Sequence, residues 1–240
     1  MNEIFYITNA ILLLRLIFYF SDAKPKLWHY ILHLVIFVSA TLIYQFGLAL
    51  VLVWIIYSLL LFSEPLLIKK PNKPSLHIYR IVQLILILSI LFTLIPNPLQ
   101  LNFYRIEVLN FSQNSFIGKV FYHLTWERIN LFVFGVLMTM NEANIVIRLI
   151  FFFINKQVEK SELNTGRIIG LLERIIIFIF VYNSQFESVG LVIAAKTIIR
   201  WKKLDEKEYA EYVIIGTLLS VLLAVIITMI VKSITKIIVI

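Results

Sequence analysis

GRIIGLLERIIIFIFVYNSQFESVGLVIAAKTIIR, residues 166–200, sets two apolar runs on either side of a short polar turn and plants charges inside both. The first run, 166–183, holds eleven strongly apolar residues, together worth on the order of −5 kcal/mol for insertion into a bilayer. Glu173 and Arg174 at mid-depth oppose this by roughly +5 to +7 kcal/mol. The terms nearly cancel, so the segment needs neighbours that receive its charges. Residues adjacent on a helix point about 100° apart, so Glu173 and Arg174 cannot face one another. Counted from the end at 166, Glu173 lies ~10 Å in. Counted from 201, Lys196 on the returning helix lies ~7 Å in, at 1.5 Å per residue. The levels agree within a turn and predict a Glu173–Lys196 pair. Arg174 is expected to turn toward Glu208 or Glu211 at the start of the next helix. Arg167, two turns before it, is placed at headgroup level.

The rest of the chain fits this frame. Of 240 residues, 60% are hydrophobic, and the mean hydropathy is +0.91. Long apolar runs recur throughout, which is the signature of a multi-pass helical membrane protein. Helices are expected at 4–20, 28–45, 48–66, 77–95, 126–141, 166–183, 187–201 and 209–231. A polar NEAN after 140 is read as opening a separate amphipathic helix to about 156. The fold class is therefore all-α: a polytopic integral membrane protein of about eight transmembrane helices with no soluble domain. Three regions follow: a four-helix membrane half over 1–96, an interfacial or loop segment over 97–125, and a second membrane half over 126–240. The opening run MNEIFYITNAILLLRLIFYF lacks a basic n-region and a small-residue cleavage site, so it is read as a retained first helix.

The net charge of +8 is explained first by topology. Lys24 and Lys26, then Lys69, Lys70 and Lys73, then Lys156, Lys160 and Arg167, then Lys202, Lys203 and Lys207 occupy alternate connections. That places both termini outside and the basic loops in the cytoplasm. An extra crossing near 142–156, or a re-entrant 187–201 helix, flips the C-terminus.

Small residues recur at four-residue spacing: Gly166 with Gly170, Gly190 with Ala194, and Gly216 with Ser220 and Ala224. Such faces let helices approach closely, within the chain or between copies of it. His29 and His33 share a helical face, a metal half-site in outline. HYILH lacks the glutamate of the zinc-protease pattern, and no third ligand sits at a supporting spacing, so no metal is expected. The absence of cysteine removes disulfides, thiolate metal sites and thiol nucleophiles. Asp22 and Asp205, the two aspartates, fall in expected loops, which disfavours an intramembrane aspartyl pair. There is no G-x-S-x-G elbow and no phosphate-cradling glycine loop. No enzyme activity and no cofactor are expected.

GRIIGLLER, SQFESVGLVIAAKT and EYVIIGTLLS, in that order, resemble the C-terminal region of a bacterial and phage-borne membrane family catalogued as domain-of-unknown-function family 3307. The likeness covers roughly 166–220, and NEANIVIRLI extends it weakly upstream. The matching positions include Gly166, Gly170, Glu173, Arg174, Gly190, Ala194, Ala195, Lys196, Glu211, Tyr212, Gly216 and Thr217. The first half shares only topology with that family. The resemblance implies a polytopic helical membrane protein and no particular reaction.

From these readings the expected function is a non-enzymatic pore or ion-conducting assembly in the bacterial inner membrane. It is expected to be a homo-oligomer, its charged set being Arg167, Glu173, Arg174, Lys196, Glu208 and Glu211. The basic loops also suit an anionic ligand acting as a gate, and a membrane effector of an anti-phage operon is one setting for such a protein. Charge alone predicts no direct nucleic-acid binding. Two alternatives stand beside the pore: an accessory subunit bound to a partner membrane protein, and a small-solute transporter.

Overall fold

A computed structural model describes residues 2–20, 27–42, 44, 46–67, 74–94, 126–154, 165–200 and 207–238. The 97–125 segment and most of the basic connections that set the expected orientation lie outside these. Eight α-helices are formed among the described residues: α1 Asn2–Phe20, α2 Leu27–Thr41, α3 Leu48–Leu67, α4 Pro74–Leu94, α5 Trp126–Phe153, α6 Thr165–Tyr182, α7 Phe186–Arg200 and α8 Lys207–Ile238. The chain divides into two compact units, Met1–Phe134 and Gly135–Ile240. The division falls within α5.

In the first unit α1 packs on α2, α2 on α3, α3 on α4, and α4 closes the ring on α1. The core comes from one stripe of each helix. Ile7, Ile11 and Leu14 line α1, Tyr30 and Phe37 line α2, Leu50, Val53, Tyr57 and Leu61 line α3, and Ile87 and Leu91 line α4. Their three- and four-residue spacing keeps each stripe on one helical face. Pro74 opens α4, where its missing N–H has no intrahelical partner to lose. α2 stops at Thr41, four residues short of the expected end. The amide of Leu42 bonds back to Val38 and that of Tyr44 to Thr41, turning the chain toward Gly47 and the start of α3. Trp54 of α3 then donates its indole N–H to the Thr41 hydroxyl at 2.8 Å. The first turns of α5 belong to this unit. Asn9 donates to the carbonyl of Asn130 at 2.9 Å, and Phe5 meets Phe134 edge to face.

In the second unit α6 lies along α8, and α6 and α7 form a hairpin. The hairpin turn is a Schellman closure: Gln185 N–H bonds to Phe180 C=O at 2.8 Å and Ser184 N–H to Val181 C=O at 3.0 Å. Ser184 holds the left-handed position, φ 62°, and its hydroxyl accepts a hydrogen bond from the Lys232 ammonium of α8. Ile177, Val181, Val189 and Ala224 make the core beneath. Phe178 is fully buried against Gly135 of α5, where a Cβ would lie 2.5 Å from two ring carbons.

One expected break is absent. NEAN does not open a new helix, because α5 runs unbroken from Trp126 to Phe153, about 42 Å at 1.5 Å per residue. The stretch holds no proline, and Asn141, Glu142 and Ala143 are buried. Their polar groups face protein interior, so polarity there does not mark a helix end.

Large apolar side chains are exposed among the described residues of both units. Ile31, Leu32 and Val35 of α2, Ile55 and Leu59 of α3, Val82 and Ile85 of α4, Leu172, Ile176 and Ile179 of α6, and Leu218, Leu222 and Ile226 of α8 all point outward. A water-soluble helix turns its charged face outward instead. Arg128–Phe153 and Ala210–Ile237 are long and apolar enough to cross a membrane.

Candidate functional site

The hairpin turn sets α6 and α7 antiparallel with Glu173 and Lys196 at one level. The Lys196 ammonium donates to Glu173 Oε2 at 2.5 Å. Their side chains keep 15% and 16% of their surface exposed. This is the pair that helix rise alone anticipates. Beside it is a small cleft between α6, α7 and α8. Ile177, Val192, Ile193 and Val221 wall it, Thr217 and Ser220 line it from α8, and it has room for about one water molecule. It is too small for an organic substrate.

Arg174 makes a contact on α5. It is 4% exposed, and its Nε–H goes to the carbonyl of Thr139 on α5 at 3.0 Å. Of the partners expected for it on α8, Glu211 is exposed and the side chain of Glu208 lies outside the described residues. The contact with Thr139 follows from the continuity of α5. It brings a polar stretch past α6 at this level, with Thr139 and, three residues on along the same face, the buried Glu142. α6 therefore turns a carboxylate to α7 and a guanidinium to α5, one residue apart. The side chains of Arg167 and Glu208 lie outside the described residues.

The small-residue positions divide. Gly216 is closely packed, with Phe151 of α5 at 3.2 Å from a Cβ built there. Ser220 and Ala224 are buried on the same stripe of α8. Around Gly170 only an ordinary contact with Arg174 would form, and around Gly190 nothing lies within 4 Å. Gly190 and Ala194 are exposed on the outer face of α7. The surroundings of Gly166 lie outside the described residues.

The first unit carries a polar interior that sequence reading passed over. Arg80 of α4 donates to Glu64 Oε1 of α3 through Nε at 3.2 Å and Nη2 at 2.7 Å. Arg15 of α1 donates to the Arg80 carbonyl at 3.0 Å. Gln83 donates to the Leu60 carbonyl at 3.0 Å, and Tyr79 bonds to Ser63 and to Leu60. His33, 2% exposed, shares a 2.9 Å hydrogen bond between its Nδ1 and the Tyr57 hydroxyl. His29 stacks on Trp28 instead, so the two histidines do not converge. Among the described residues no three His, Asp or Glu side chains group to hold a metal ion. The signal for this interior was present in LLLRLIF, LFSEPLL and IYRIVQL. It is the rule that singled out Glu173: a charge inside an apolar run requires a partner.

No protein-family model matches the chain, and no curated protein and no solved structure matches it.

Proposed function

We propose that this chain is a multi-pass integral membrane protein of the bacterial inner membrane that conducts ions without catalysing a reaction, and that it works as a homo-oligomer. One observation carries the reading: polarity is reversed relative to a soluble bundle. Isoleucine and leucine cover the outside, while Glu173–Lys196 and Glu64–Arg80 are paired within. Ionised groups inside lipid-facing bundles are costly and characteristically line paths for ions or protons.

The lengths of five of the eight helices suit the reading of about eight crossings. α1, α3 and α4, at 19, 20 and 21 residues, reach about 28–32 Å at 1.5 Å per residue, close to the ~30 Å hydrocarbon core. α5 and α8 exceed it, while α2, α6 and α7, at 15, 18 and 15 residues, reach about 22–27 Å. The resemblance of 166–220 to the family of unknown function agrees with this architecture. An accessory role is favoured by the open Gly190–Ala194 face of α7, which is shaped for a close-packing helix.

Purified full-length protein in planar bilayers or liposomes tests the proposal. Ion current or flux above that of empty membranes supports conduction. Its absence across several lipid compositions, with nucleotide or anionic lipid added on either side, leaves the accessory reading in its place. Cross-linking in the membrane reads the oligomeric state.

A further inference from the structure

Resting on the membrane-protein part of that reading, we infer that the α2–α3 turn never emerges into water. It lies in the hydrocarbon of the far leaflet, packed against lipid acyl chains. Trp28, exposed on the first turn of α2, has the amphipathic ring that settles at headgroup level. From Trp28 to Leu42 is about 21 Å at 1.5 Å per residue, and tilt only shortens the reach. The hydrocarbon core is ~30 Å thick, so the turn stops about 9 Å short of its far boundary. The same reach counted along α3 from Leu48 ends at Phe62, and polar residues resume there with Ser63 and Glu64.

The turn is also built for an apolar medium. No Asp, Glu, Lys or Arg occurs between Lys26 and Glu64. Leu42, Phe46 and Leu48 are 57%, 77% and 81% exposed. The α6–α7 turn is made the other way, with Asn183, Ser184, Gln185 and Glu187 exposed. Turns that run through water carry polar residues of that kind.

The backbone agrees. A helix leaves its last four carbonyls without intrahelical partners, and in hydrocarbon the protein itself must supply the donors. At the end of α2 all of them are supplied. Val38 C=O accepts from Leu42 N–H at 3.1 Å and from the Thr41 hydroxyl at 2.9 Å. Ser39 C=O shares the Leu42 N–H at 3.3 Å, and Thr41 C=O accepts from Tyr44 N–H at 3.1 Å. Ala40 C=O accepts from the Tyr6 hydroxyl, brought in from α1, at 3.1 Å. A turn bathed in water needs no tyrosine from another helix to satisfy its last carbonyls. All eight helices remain in the bilayer, but α2 and α3 meet before the far surface and acyl chains of that leaflet close over them.

The chain has no cysteine, so Phe46→Cys, Leu48→Cys, Leu59→Cys and Gln185→Cys can each carry a single nitroxide on the full chain. The protein is placed in phosphatidylethanolamine–phosphatidylglycerol vesicles. Saturation of the spin label is read with oxygen, which concentrates in hydrocarbon, and with a nickel chelate on both sides, which stays in water. Leu59→Cys, exposed on α3, is the hydrocarbon reference and Gln185→Cys the water reference. Labels at Phe46→Cys and Leu48→Cys should read like Leu59→Cys, at a depth about 9 Å inside the far boundary. Both positions are exposed, so neither substitution disturbs the core. If they are as open to nickel as Gln185→Cys while Leu59→Cys stays in hydrocarbon, the inference falls and the membrane reading stands. If they are closed to oxygen and nickel alike, a protein segment covers the turn and the inference falls as well. Nickel contact in all four variants overturns both.

Discussion

Two glycine-to-alanine substitutions in this chain should move stability in opposite directions, and the structure gives the reason. At Gly135 a Cβ would sit 2.5 Å from Cε2 and Cζ of Phe178 and 3.0 Å from Cγ2 of Val231. Carbon atoms prefer 3.5–4.0 Å, so the ring must retreat by about 1 Å. Phe178 is fully buried and Val231 nearly so, which leaves no void to receive it. Overpacking of this kind costs about 1–3 kcal/mol. At Gly190, in the middle of α7, nothing lies within 4 Å. Alanine there gains helix propensity of about 0.8–1 kcal/mol without a clash. Equilibrium unfolding in mixed micelles, followed by circular dichroism, reads both. Gly135→Ala should unfold at lower denaturant than the parent and Gly190→Ala at higher. Adding Phe178→Leu to Gly135→Ala should make the alanine cheaper than it is beside phenylalanine. Equal shifts of one sign, or an alanine cost unchanged beside leucine, would refute the packing of α5 against α6 described above.

A double-mutant cycle on the α6–α7 pair should be non-additive. Lys196→Met alone strands a largely buried carboxylate and should cost about 2–4 kcal/mol, whereas Glu173→Gln with Lys196→Met should cost about 1 kcal/mol or less; additive unfolding energies would argue against the pair. Arg80→Lys replaces a guanidinium that bonds Glu64 through two nitrogens with a point charge, and should destabilise the first unit by about 1–2 kcal/mol in the same unfolding assay. Ser184→Gly relieves the left-handed backbone while losing the Lys232 contact, so it should change stability by less than about 1 kcal/mol. Ser184→Val, β-branched at positive φ, should cost more than about 1 kcal/mol, read as a drop in the thermal midpoint.

Helix periodicity made the helices legible, and all eight begin within three residues of their expected starts. The Glu173–Lys196 pair was legible because it depends on two quantities a sequence carries: rise per residue and the position of the turn. The α5 contact of Arg174 was not. Its expected partners on α8 were chosen by depth, and a polar cluster such as NEAN looks the same from sequence whether it ends a helix or faces buried neighbours. The same ambiguity hid Glu142. Small-residue spacing also does not say which face is covered, so Gly216 and Gly190 look alike in sequence though one is packed and the other open. Gly135, with Thr139 four residues on, was not singled out, because what demands it is the ring of Phe178.

The α6–α7 turn also determines how α7 can move. A three-residue connection, closed by two backbone bonds and held to α8 through Lys232, stops α7 from sliding along α6. What remains is rotation about the turn. Lys196 is twelve residues beyond Ser184, a lever arm of about 18 Å at 1.5 Å per residue. A 1 Å lengthening at the ammonium therefore corresponds to a swing of only about 3°. A contact at the far end of such an arm senses angle with high gain, so making or breaking the Glu173–Lys196 pair is transmitted as tilt of a whole helix.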